Sequence, residues 1–262
     1  MCRWLAYIGQ PVFLEDLIHK PAHSLVEQSL NAEEAKTRTN GDGFGIGWYA
    51  DQAEPGLYRE VLPAWNDRNL RSLAHQIRAG VFFAHVRAST GTESTRANCH
   101  PFAHGPWLFM HNGQIGGYER LRRGLEGLIP DAYYDQRLGT TDSEILFCLL
   151  LAQGLEDDPL GALSRSLLQV RQAMEAAGVT APLRYTAALS DGQRIFAVRY
   201  ASDFLPPSLY WRSEGAGVTI VSEPLEPDSR AWNPLPPNQV LVVGRDLQAC
   251  FAPLFPQAQA AE

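Results

Sequence analysis

The chain has 262 residues, 45% hydrophobic and 19% charged, a composition typical of a globular protein long enough to bury a sizeable core. Its net charge of −7, from 22 basic and 29 acidic side chains with no polybasic run, argues against a nucleic-acid binder. Four cysteines without a CxxC pair give neither a disulfide framework nor a structural zinc site, and the longest apolar run, 145–152, falls far short of the ~20 residues that span a bilayer. The N-terminus lacks a charged segment followed by an apolar one, so no signal peptide is read there. A soluble protein in a reducing cytoplasm is expected.

In chain order, alternation predicts a first strand at 3–8, a helix at 22–30 and strands at 44–50 and 57–62. A helix at 67–78 and strands at 80–86 and 107–111 follow. Three helices come next, at 118–128, 141–153 and 159–177. In the last of these, Leu160, Leu163, Leu167, Val170 and Met174 form one apolar stripe. Strands then fill the rest: 183–190, 194–200, 208–211, 218–222, 239–243 and 247–251. Ser190-Asp191-Gly192-Gln193 joins the first two of these as a hairpin turn. Strands and helices come in blocks without a regular βαβ alternation. That pattern predicts antiparallel sheets with helices packed outside them, an α+β layered architecture. No composition break marks a boundary, so one domain is expected over 2–255, with a frayed tail at 256–262.

The second residue is Cys2. Its side chain is small enough for an aminopeptidase to remove Met1. Cys2 would then carry a thiol and a free α-amine on one residue. An α-amine titrates near pH ~8 and can serve as the base for its own nucleophile.

Three further segments bear on that chemistry. In Phe83-Ala84-His85-Val86-Arg87-Ala88-Ser89-Thr90-Gly91 a strand ends in an arginine. Arg87 is either a solvated or ion-paired strand end, or a two-pronged grip for a carboxylate. In Trp107-Leu108-Phe109-Met110-His111-Asn112-Gly113 an apolar strand runs into Asn-Gly, the strongest two-residue hairpin signal. The same pair can instead direct the Asn112 amide and the Gly113 N–H at a developing oxyanion. In Thr141-Asp142-Ser143-Glu144, Thr141 and Glu144 form a helix capping box. Asp142 then either complements the helix dipole or binds a substrate ammonium. A thiol, an oxyanion hole, a carboxylate grip and an ammonium grip together suit hydrolysis of a γ-glutamyl amide.

These segments, with Asn40-Gly41-Asp42-Gly43-Phe44-Gly45-Ile46-Gly47-Trp48 and Asn98-Cys99-His100-Pro101-Phe102, resemble a class II glutamine amidotransferase domain of the N-terminal-nucleophile hydrolase superfamily. The likeness covers nearly the whole chain. It is closest to small stand-alone members, including the branch of the ergothioneine-pathway γ-glutamyl hydrolase. The resemblance implies a four-layer αββα sandwich of two antiparallel sheets and no cofactor. It implies Cys2 as nucleophile, Asn112 and Gly113 as oxyanion hole, Arg87 with Thr90 on the substrate α-carboxylate and Asp142 on its α-amino group. Ala88-Ser89-Thr90-Gly91 departs from the Trp-Ala-Thr-His found after this arginine in larger members. The implied ligand is glutamine or a γ-glutamyl small molecule, and a separate synthase subunit is a possible partner.

Other readings compete. His85, His100, His104 and His111 match no zinc motif and read as buried structural histidines. Cys99-His100 reads poorly as a dyad, because neighbours in a strand point to opposite faces. Trp48, Trp65, Phe102 and Trp107 are either core or the lining of a leaving-group pocket. A non-catalytic amino-acid-binding protein is the remote alternative.

Overall fold

The computed structural model describes residues 2–34, 38–89, 91–215, 217–226 and 228–256. The expected frayed tail lies, from 257 on, outside the described residues. Strand β1 (Arg3–Phe13) is followed by helices α1 (Glu15–Ile18) and α2 (Leu25–Leu30). Strands β2 (Phe44–Tyr49) and β3 (Gly56–Glu60), helix α3 (Arg68–Gln76) and strands β4 (Arg78–Val86), β5 (Phe102–His104) and β6 (Trp107–Ile115) come next. Helices α4 (Tyr118–Glu126), α5 (Asp131–Tyr134), α6 (Asp142–Ala152) and α7 (Pro159–Ala176) form the central block. Strands β7 (Leu183–Ser190), β8 (Arg194–Ala201), β9 (Tyr210–Glu214), β10 (Gly217–Val221), β11 (Asn233–Pro234), β12 (Gln239–Gly244) and β13 (Ala249–Pro253) complete the order.

The strands form two antiparallel sheets, ordered β11-β9-β10-β1-β4-β2-β3 and β13-β12-β8-β7-β6-β5. Strand alternation sorts the core into three layers. Trp4, Ile8 and Phe83 from the first sheet meet Leu108, Met110 and Ala197 from the second between the sheets. Leu5, Phe44 and Phe82 on the other face of the first sheet pack on Ile18, Leu25 and Leu70 of α1, α2 and α3. Phe109, Tyr185 and Leu189 on the outer face of the second sheet pack on α4, α6 and α7. The result is helices, sheet, sheet, helices, an α+β four-layer sandwich.

Helix α6 is buried on every side from Ser143 to Leu151, because α4, α5 and α7 cover what the sheet does not. Its N-terminus sits at the end of β6, where the Asp142 carboxylate accepts the Ile115 N–H. Gly45 in β2 makes a second positioning contact possible. A Cβ there would come within 2.2 Å of the His100 carbonyl oxygen, so only glycine lets the 99–101 segment lie against the strand. No helix among the described residues is long and apolar enough to cross a membrane.

Candidate active site

A cavity of about 220 Å³ opens where the ends of β4 and β6 face the start of α6. Cys2, Arg87, Asn112, Gly113 and Asp142 all line it. Thr90, the remaining expected site residue, lies outside the described residues.

Cys2 immediately precedes β1 and is held by its own backbone. Its carbonyl oxygen accepts from Arg3 Nε at 2.8 Å and from Asn112 Nδ2 at 2.7 Å. Its Sγ accepts the Ala88 N–H at 3.3 Å and lies 3.6 Å from the Ala88 carbonyl oxygen, a thiol-donor geometry. Burial pushes the thiol up from its ordinary value, opposed by the Ala88 N–H and the positive charges of Arg87 and Arg3. The thiol form is therefore favoured.

Arg87 follows the last residue of β4 and is only 3% exposed. Its guanidinium is wrapped by the segment that follows it. Nη2 donates to Thr92 Oγ1 at 2.6 Å and to the Glu93 carbonyl oxygen at 3.2 Å, and Nη1 donates to the Asp42 carbonyl oxygen at 3.2 Å. The Asp42 carboxylate accepts the Ser89 N–H at 2.7 Å, which pins the chain just past the arginine. Arg87 is thus neither a solvated strand end nor half of an ion pair; it faces the cavity with its fork held by neutral oxygens.

Asn112 and Gly113 are not a hairpin turn. Strand β6 runs through them to Ile115, with Gly113 opposite Tyr185 of β7. Gly113 adopts φ +147°, and a Cβ there would lie 1.9 Å from the Arg184 carbonyl oxygen. The sequence spends its Asn-Gly on a close backbone approach instead of a reversal. His111 braces the same stretch from the outer face. Its Nε2 faces the Arg184 carbonyl oxygen at 3.3 Å and must carry the proton, so Nδ1 accepts from Ser143 Oγ at 2.8 Å. Burial lowers the His111 pKa, in keeping with this neutral ring.

Asp142 is the first residue of α6, and Thr141 Oγ1 caps the helix by accepting the Glu144 N–H. The capping box is only half formed. The Glu144 carboxylate turns away to accept the Leu138 and Gly139 N–H groups at 2.8 and 2.7 Å. Asp142 Oδ2 accepts the Ile115 N–H at 2.8 Å, tying the helix to the end of β6. Its other oxygen has only a 3.5 Å contact to Ser143 Oγ. One oxygen therefore fixes the carboxylate, and the other is left for a ligand.

Several residues that hold the site are given no role in it by the sequence: Arg3, and Asp42, His111 and Ser143, which stand only inside the runs that carry the resemblance. Asn98 is another. Its side chain bridges the Glu93 carbonyl oxygen and the Thr140 N–H, joining the segment around Arg87 to the approach to α6. His85 and His100 are buried, with ring centroids 4.3 Å apart and planes tilted by 34°. Unlike satisfied core histidines, none of their ring nitrogens has a hydrogen-bond partner among the described residues. Burial pulls His85 down to about 3 and His100 well below its usual value, so both are neutral. Cys99 lies outside any strand, and its thiol faces the Glu60 and Thr95 carbonyl oxygens. Burial raises that thiol to about 11. Trp48, Trp65, Phe102 and Trp107 do not line the cavity; Phe102 and Trp107 pack in the outer core. Among the described residues no group of three or more histidine, cysteine or carboxylate side chains is arranged to hold a metal ion.

Comparison with known proteins gives one consistent answer. The sequence model of the class-II glutamine amidotransferases matches residues 18–205. A probable glutamine amidotransferase of Saccharomyces cerevisiae, DUG3, is 31% identical over 93% of this chain and 82% of its own. The gamma-glutamyl-hercynylcysteine sulfoxide hydrolase of Mycolicibacterium smegmatis is 29% identical over 97% of this chain and 100% of its own. The solved structure of a glutamine aminotransferase class-II domain protein from Silicibacter pomeroyi is 42% identical, with a TM-score of 0.78 over 97% of this chain and 100% of that one. The four-layer sandwich is the N-terminal-nucleophile hydrolase fold, and the chain belongs to the class-II glutamine amidotransferases.

Proposed function

We propose that the protein cleaves the amide bond of γ-glutamyl compounds, glutamine among them, through a thioester on Cys2 after Met1 has been removed. One observation carries this reading: the thiol, the Asn112–Gly113 pair and two opposite charges, Arg87 and Asp142, line one cavity. An amino-acid head carries a carboxylate and an ammonium. Arg87 pairs with the first and the free oxygen of Asp142 with the second, leaving the γ-carbonyl to reach Cys2.

The raised thiol needs a base, and the α-amine freed by loss of Met1 is that base. The amine takes the thiol proton as Sγ bonds to the γ-carbon. The carbonyl oxygen becomes an oxyanion, held by the second hydrogen of Asn112 Nδ2 and the Gly113 N–H. Each such donor lowers the barrier by about 3 kcal/mol. The resulting ammonium gives its proton to the departing amine as the C–N bond breaks. Water then attacks the thioester with the amine again as base, releasing the γ-carboxylate and the thiol. Substitution of Cys2 by alanine, or retention of Met1, is expected to abolish hydrolysis; undiminished turnover in either protein defeats the proposal.

The catalytic unit is taken as a single domain over 2–255, acting in the cytoplasm. The relative covered over its whole length is a γ-glutamyl hydrolase, which supports action on a γ-glutamyl conjugate with no transfer of ammonia. Turnover of one amide far above glutamine, in a panel of γ-glutamyl amides, is the expected result. Comparable turnover of free glutamine favours an amidotransferase that serves a separate synthase subunit.

A further inference from the structure

The side-chain amide of Asn112 is satisfied on one side only. Its Nδ2 donates to the Cys2 carbonyl oxygen, whereas its Oδ1 is buried without a partner. Across the inter-sheet layer lies His85. Phe83 and His85 alternate onto the inner face of β4, and Met110 and Asn112 onto the inner face of β6, with Phe83 and Met110 both in the inter-sheet core. His85 and Asn112 are therefore the next step of the same layer, at the cavity end. The Asn112 side chain is the one hydrogen-bonding group that acts on the His85 ring, where it raises the pKa that burial lowers.

His85 is 1% exposed and its ring nitrogens are unpartnered. His100, 4% exposed and also unpartnered, packs against it with the ring planes tilted by 34°, and its own ring centroid lies 4.6 Å from that of Phe102. Buried polar atoms without partners cost stability, and an apolar ring would fill the same space without that cost. His100 lines the cavity and His85 lies against it, so these two neutral imidazoles are placed for a use other than folding.

We infer that His85, braced by the ring of His100, is a positioning residue that donates to Asn112 Oδ1 and fixes the Asn112 amide for oxyanion binding. A neutral imidazole has one N–H to give, and Oδ1 is the acceptor that lacks one. With Oδ1 held, the amide cannot flip, and both hydrogens of Nδ2 stay directed at Cys2 and the reacting oxygen. His100 keeps the His85 ring from turning edge-on.

The inference rests on the reading of Asn112 as the oxyanion donor, and the test separates the two. Full-length protein with Met1 removed is compared with His85→Leu and His85→Gln. For the γ-glutamyl amide that the wild type turns over best, His85→Leu is expected to lower kcat about tenfold or more, with KM within about twofold. Its Tm is expected to change by only a few degrees, because one unpartnered ring nitrogen is gone while Asn112 Oδ1 loses its donor. His85→Gln keeps a donor and is expected to recover part of kcat. A His85→Leu enzyme within twofold of wild-type kcat, or a loss that tracks a lowered Tm or a raised KM, overturns the inference. A crystal structure of His85→Leu provides a readout that needs no activity: the Asn112 amide leaves the Cys2 carbonyl oxygen if His85 positions it, and an unmoved amide overturns the proposal. If the wild type hydrolyses no γ-glutamyl amide, the proposed function falls, and the crystal structure still decides the role of His85.

Discussion

Arg3, wholly buried behind Cys2, donates through Nε to the Cys2 carbonyl oxygen and through Nη1 to the Glu223 carboxylate at 3.2 Å. Glu223 is itself 2% exposed and also accepts the Glu33 and Glu34 N–H groups at 2.8 and 3.0 Å. The pair thus ties the start of β1 to the chain leaving β10 and to the segment after α2. Removing one partner of a buried pair leaves the other charge uncompensated, at a cost of about 3–5 kcal/mol. Glu223→Ala is expected to lose that much in denaturant unfolding and to lower amidase activity with it, because Cys2 loses its backbone anchor. A stability change below 1 kcal/mol would show that Arg3 finds another partner.

The same carboxylate gives a pH signature. His23 Nε2 meets Glu223 Oε1 at 2.5 Å, and that hydrogen bond raises the His23 pKa above 6.5. The Glu223 pKa is lowered below 4.5: burial pushes it up but is outweighed by His23, two backbone N–H groups and Arg3. A raised histidine contributes stability fully present below the unfolded value of 6.5 and lost as pH rises through the folded value. A lowered carboxylate contributes stability present above 4.5 and lost as pH falls through the folded value. The pair therefore stabilises most between these two unfolded values. The difference in stability between the wild type and His23→Ala, measured across pH 4 to 9, is expected to shrink toward the alkaline end. A difference that grows with pH contradicts the assignment.

Much of the site was legible because its chemistry sits in short runs. Cys2, Arg87, Asn112, Gly113 and Asp142 each keep a plainer structural reading when taken alone, and their joint order along the chain points to one chemistry. What supports them is spread along the chain. Arg3 and Glu223 are 220 positions apart, and no periodicity joins them. Asn112-Gly113 misleads as a turn because a glycine needed for close approach looks the same as one needed for a reversal. The one-turn helices α1 and α5 and the three-residue strand β5 fall below the length at which periodicity is readable. Strand β1 extends to Phe13, past its apolar alternation, because β4 still pairs with it there beyond an irregularity after Ile8.

Gly113→Ala is the sharpest steric test. The added methyl would stand 1.9 Å from the Arg184 carbonyl oxygen and 2.7 Å from His111 Nε2, on a backbone at φ +147°. Neither neighbour can yield without breaking the β6–β7 ladder or the His111–Ser143 contact. Activity is expected to fall by two orders of magnitude or more, in line with loss of an oxyanion donor, together with a lower Tm. An active Gly113→Ala enzyme would show that the close approach of β6 to β7 at this residue is not needed for activity.

Arg87→Lys preserves charge and removes the fork. The lysine ammonium cannot reach Thr92, Glu93 and Asp42 together as the guanidinium does. Substrate binding is expected to weaken by about 2 kcal/mol, or roughly 30-fold in KM, with a smaller effect on kcat. Initial-rate kinetics on a γ-glutamyl amide read this split directly. A change confined to kcat would place Arg87 outside the head-binding end of the cavity.

Asp142→Asn separates fold from binding at a single position. An asparagine keeps an oxygen for the Ile115 N–H and leaves the Thr141 cap untouched, so the join between β6 and α6 survives. What disappears is the negative charge opposite a substrate ammonium, and an amide nitrogen takes the place of the second oxygen. Tm is expected to change by only a few degrees, whereas KM for a γ-glutamyl amide rises at least tenfold. The ammonium is the group responsible, so an analogue lacking the α-amino group should bind wild type and Asp142→Asn with similar affinity. Equal loss of affinity for both ligands would mean that Asp142 acts through β6 and Gly113, not through contact with the substrate.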